Sequence, residues 1–135
     1  MELGVTNFNR KNRNAMTPEE KQLLLTDLCA RLPYGVKVKY FDMEYPFGSE
    51  PVILTPYLLY NRWENIHDVK PYLRPMSSMT KEESRELYAI RKSTQMTYSL
   101  EPKELDWLNA HYFDYRGLID KGLALEAPPE MYKTE

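Results

Sequence analysis

The side chains best suited to chemistry are few and scattered in this 135-residue chain. His67 and His111 are far apart, neither belongs to a ligand-spaced pair, and Cys29 is the single thiol. A structural zinc site needs four nitrogen or sulfur donors at short spacing, so no metal is expected. A Cys29–His111 nucleophile and base would need an exposed, activated thiol. Cys29 instead falls in a helical stripe with Leu24, Leu25, Leu28 and Leu32, which reads as a buried structural position. Asp106, His111 and Asp114 place an imidazole near carboxylates, the arrangement that orients a general base. On a helix, however, positions 107 and 111 share a face and 106 points elsewhere, so His111 is expected against Trp107 or at the helix end. The five glycines are dispersed and form neither GxGxxG nor GxxxxGK, so no phosphate cradle and no cofactor are expected. The chain reads as non-enzymatic.

Recognition is the better-supported chemistry. Tyr45, Phe47, Tyr57, Tyr60, Trp63 and Tyr72 lie in a proline-punctuated region, with Arg62 among them and Arg74 just after the last. Tyrosine, tryptophan and arginine dominate interface hot spots. Two readings stand side by side: a docking surface, or the inward-facing rings of a small sheet, since alternate strand residues must face a core. Solvent exposure separates them. Asp114-Tyr115-Arg116-Gly117 reads as a tight turn held by an Asp–Arg pair, with Tyr115 and Arg116 as secondary binding candidates. Arg10, Lys11 and Arg13, with Lys37 and Lys39 on one strand face, offer an alternative: a nucleic-acid or nucleotide binder in which the aromatics stack bases. The net charge of −2 weighs against phosphate neutralisation over the whole surface. Lys37 and Lys39 read equally as a solvated strand face.

These residues must be positioned by elements the sequence marks out. Thr17-Pro18-Glu19-Glu20 combines an N-cap threonine, proline at the first helical position and the glutamate of a capping box, opening a helix that Pro33-Tyr34-Gly35 stops. Val36 to Phe41 alternates apolar and polar at period two and predicts a strand. Tyr45 to Ser49 reads as a turn. Pro51 to Leu54 and Pro56 to Tyr60 read as apolar runs whose prolines place them at strand starts, edges or bends. Ile66 to Leu73 adds a further strand or a single turn. Thr80-Lys81-Glu82-Glu83 repeats the capping box and opens a second helix running into the low nineties, through Leu87, Ile90 and Thr94. Pro102 opens a third with Leu105, Leu108 and Tyr112 on one face. The expected fold is α+β: an N-terminal helix, a small bent antiparallel sheet from about Val36 to Leu73, and C-terminal helices. Residues 1–15 read as a mobile leader, 16–127 as one domain and 128–135 as a tail.

With 42% hydrophobic and 28% charged residues, the composition is that of a folding globular chain. The solitary cysteine fits a reducing compartment, and neither a signal peptide nor a bilayer-length apolar run is apparent, so a cytoplasmic protein without a membrane partner is expected.

Residues 16–35 (MTPEEKQLLLTDLCARLPYG), 68–80 (DVKPYLRPMSSMT) and 107–127 (WLNAHYFDYRGLIDKGLALEA) resemble a poorly characterised family of small proteins from gut anaerobic bacteria and their phages and mobile elements. The resemblance implies a mobile-element setting rather than a chemistry. With the aromatic region, the expectation is a non-enzymatic accessory protein of a phage or mobile element that binds a host protein, with interference in host defence as one use that rests on the setting. The helix-then-bent-sheet layout is also similar to SH3-like and Tudor-like small barrels, an analogy of fold that does not fix function.

Overall fold

The computed structural model describes residues 16–93 and 102–133. Helix α1 spans Pro18–Arg31, and its capping box is formed as the sequence predicts: Glu20 N donates to Thr17 Oγ1 at 3.0 Å and Thr17 N donates to Glu20 Oε1 at 3.1 Å. Strands β1 (Lys37–Tyr40), β2 (Val52–Ile53) and β3 (Val69–Leu73) follow, with helix α2 (Pro56–Asn61) between β2 and β3. Helices α3 (Lys81–Ser93) and α4 (Pro102–Ala110) come next, and strand β4 (Leu125–Glu126) joins late. The leader, including Arg10, Lys11 and Arg13, lies outside the described residues, as does Thr94.

Three features differ from the sequence reading. Pro56 to Tyr60 is helical, because Thr55 Oγ1 caps Leu58 N at 3.1 Å and Pro56 supplies the fixed φ of a first helical turn. The sheet is mixed: its order is β2-β1-β3-β4, with β2, β1 and β3 antiparallel as expected and β4 parallel to β3. This linear order with two-residue edge strands is not a closed barrel. Cys29 is exposed, not buried. The buried side of α1 carries Leu24, Asp27, Leu28 and Arg31, and Cys29 stands to one side of it.

Asp27 and Arg31 are fully buried and paired: Arg31 Nε donates to Asp27 Oδ2 at 2.8 Å, and Arg31 Nη2 donates to Asp27 Oδ1 at 3.1 Å and to the Phe113 carbonyl at 2.6 Å. A main core gathers Leu24, Leu28, Val36, Val38, Leu54, Leu59, Ile66, Val69, Leu73 and Leu118 from α1, the sheet, α2 and the segments that connect and follow them. A smaller cluster of Leu87, Leu108 and Phe113 joins α3 to α4.

The chain stays in contact with the fold beyond Pro128-Pro129, where the sequence suggests a tail. Antiparallel pairing of β1 with β3 sets Val38 against Pro71, so Lys37 and Tyr72 would form the next rung. The Tyr132 hydroxyl occupies that rung, accepting from Lys37 N at 2.8 Å and donating to Tyr72 O at 2.8 Å. Its ring stacks on Tyr112 at 3.7 Å between centroids. Tyr112 follows α4 with φ of 65°, where glycine is the usual helix terminator. The stack, together with a Tyr112 hydroxyl that donates to the Tyr34 carbonyl, holds a bulky residue in that left-handed conformation.

Candidate binding surface

Helix α2 is short and two-sided. Leu59 is buried in the main core and Leu58 is packed against it, while Tyr57 and Tyr60 face outward at 78% and 80% exposure. The helix ends at Arg62, and Trp63 N donates to Tyr60 O at 3.3 Å in the turn that leaves it. That turn carries Trp63, 41% exposed. Tyr57 and Tyr60, three residues apart, share a side of α2, and Trp63 lies beside Tyr60 in the turn that follows it. Buried Ile66, in a single turn of tighter helix over Ile66–Asp68, then returns the chain to β3.

Arg62 anchors this segment to the loop between β1 and β2. Its guanidinium donates to Asp42 Oδ2 at 2.8 Å and to the Phe41 carbonyl at 3.2 Å, and lies 4.6 Å from the Tyr40 ring centroid. The Arg62 hydrogen bond, followed by the Tyr45 N–H, holds the Asp42 carboxyl below its ordinary value. The same Tyr45 N–H, donating to Asp42 Oδ1 at 2.8 Å, shapes the loop, and Tyr45 sits edge-on to Tyr40 at 5.7 Å. Phe47 projects from that loop at 90% exposure. Arg62 therefore ties the loop bearing Tyr45 and Phe47 to the end of the helix bearing Tyr57, Tyr60 and Trp63.

The remaining candidates lie elsewhere and are engaged within the fold. Tyr72 is half-buried on β3. Arg74 makes a two-pronged ion pair with Glu83, 2.7 and 2.8 Å, and lies 4.1 Å from the Phe113 ring centroid. Tyr115 donates to Asn109 Oδ1 at 2.9 Å, and Arg116 donates to Asp27 Oδ1 at 3.0 Å and to the Tyr115 hydroxyl at 2.9 Å. Tyr115 and Arg116 thus link the C-terminal segment to the buried Asp27–Arg31 pair of α1.

His111 stacks on Trp107 at 4.0 Å, as helical spacing predicts. Asp114 accepts from Leu118 N and Ile119 N at 2.8 and 2.9 Å, which commits its carboxylate to a turn. Among the described residues no group of three or more His, Cys, Asp or Glu is placed to hold a metal ion, and no helix is long and apolar enough to cross a membrane.

Two residues not singled out in the sequence complete the surface. Tyr60, Asn61, Trp63 and Glu64 line an open concavity of about 580 Å³. The readable signal for them was Thr55-Pro56, a cap and first-turn pair that makes Tyr60-Asn61 the last turn of a helix. Comparison with family models, with curated proteins and with solved structures finds no match to this chain.

Proposed function

We propose that this protein works by binding a partner protein through the outward face of α2 and the adjoining Tyr45–Phe47 loop, with no bond-making step of its own. The observation that carries this reading is the exposure of Tyr57, Tyr60 and Trp63 on, and in the turn after, a helix whose other side is core. Large rings left in water at consecutive turns are costly to solvate and gain by desolvation in an interface. The cation within this segment, Arg62, is engaged by Asp42, which favours a protein partner over a phosphate backbone. The resemblance of three blocks to proteins of phages and mobile elements supports a host protein as the partner, and interference with host defence as one use of such binding.

The test is capture of a partner from host lysate by the immobilised chain, compared with a Tyr60→Ala/Trp63→Ala variant that unfolds at the same temperature. The expected result is a discrete protein retained by the native chain and lost at least tenfold in the variant. Equal capture by both would overturn the reading, as would salt-dependent binding of single-stranded nucleic acid that the variant loses.

A further inference from the structure

The concavity at the end of α2 has a composition that narrows what enters it. Its lining residues are two aromatics, Tyr60 and Trp63, an asparagine, Asn61, and an acid, Glu64. The rings have no aromatic partner among the described residues, and Glu64 makes no ion pair there. The cation nearest in sequence, Arg62, is held by Asp42, the Phe41 carbonyl and the Tyr40 ring, so it is committed to the opposite loop.

A site lined by aromatic residues, an unpaired acid and an amide attracts a cation. Among cations, guanidinium fits this set better than ammonium. It is flat, so it stacks on a ring face while its in-plane N–H groups reach a carboxylate in a two-pronged bond and an amide oxygen beside it. The protein already uses this pairing internally, where Arg74 lies over Phe113 and grips Glu83.

We propose that the concavity lined by Tyr60, Asn61, Trp63 and Glu64 is a receptor for an arginine side chain presented by the partner protein. The inference rests on the α2 face being the docking surface and specifies what that surface selects. The partner's arginine stacks against Trp63 or Tyr60, and its guanidinium donates to Glu64 and to the Asn61 oxygen. Tyr57 and Phe47 supply surrounding apolar contact.

The test uses Nα-acetyl-arginine methylamide as probe, followed by nuclear magnetic resonance through the Trp63 indole N–H, which is identified by its absence in Trp63→Phe. The expected result is a saturable shift of that signal. The uncharged citrulline analogue should bind several-fold more weakly and the lysine analogue should fall between them. Glu64→Gln should lose about two- to fivefold in arginine affinity and most of the preference over citrulline, the range of an exposed cation–ring and ion-pair contact. Equal binding of arginine and citrulline analogues overturns the proposal, as does the absence of a saturable Trp63 shift. Partner capture that Tyr60→Ala/Trp63→Ala abolishes but Glu64→Gln leaves unchanged would overturn the arginine receptor while leaving the docking face standing. Capture indifferent to both variants would remove the docking face itself.

Discussion

The Tyr132 hydroxyl stands in for a rung of the β1–β3 ladder, so its loss strands Lys37 N and Tyr72 O together. Tyr132→Phe is expected to cost about 1–3 kcal/mol, read as a lower urea midpoint at unchanged slope. Burial pushes the Tyr132 phenol well above its ordinary value, consistent with a hydroxyl that serves as a neutral bridge. Cys29 makes the opposite prediction. Its exposure means that a thiol-specific reagent should label it in the native state without unfolding, and that Cys29→Ser should change stability by less than about 0.5 kcal/mol. The apolar spacing of α1 pointed the other way because Asp27 and Arg31, read as polar, take inward positions by pairing with each other. Apolar periodicity locates a buried face only when charged residues stay out of it.

At the scale of elements, the capping boxes at Thr17 and Thr80 were legible because each requires only residues within one turn. Helix α2 was signalled only by its Thr55-Pro56 start, since Tyr57, Leu58, Leu59 and Tyr60 favour strands and helices about equally and the segment is too short for periodicity to decide. The parallel partner of β3 was illegible for a different reason: β4 arrives from far along the chain, and parallel pairing leaves no turn signal. Glu83 shows how two elements are joined. It accepts from Thr80 N at 3.0 Å as the cap of α3 and pairs with Arg74 at the end of β3, and this Arg74 contact holds its carboxyl down to about 2. A lowered carboxylate contributes stability that is present above its ordinary value of 4.5 and disappears as the pH falls from there toward 2. The thermal midpoint of the native chain should therefore fall over that window, and Glu83→Gln should start lower at neutral pH and show a shallower fall.

Across the whole molecule, side chains of the C-terminal segment are drawn inward onto the fold. Arg116 reaches Asp27 on α1, and Tyr132 closes the sheet against Tyr112. Three of the binding candidates that the sequence offered, Arg74, Tyr115 and Arg116, are engaged within the fold. What remains outward is concentrated between residues 43 and 64, where Met43, Phe47, Ile53, Tyr57, Tyr60 and Trp63 are exposed. The sequence located this region by composition. It could not say which rings face water, because inward and outward positions follow from α2 being a helix rather than a strand. The most direct test of binding through this region is amide hydrogen exchange of the chain with and without its captured partner. Exchange should slow across residues 42–48 and 56–64 and stay unchanged in Lys81–Ser93 and Pro102–Ala110. Protection confined to those C-terminal helices would contradict it.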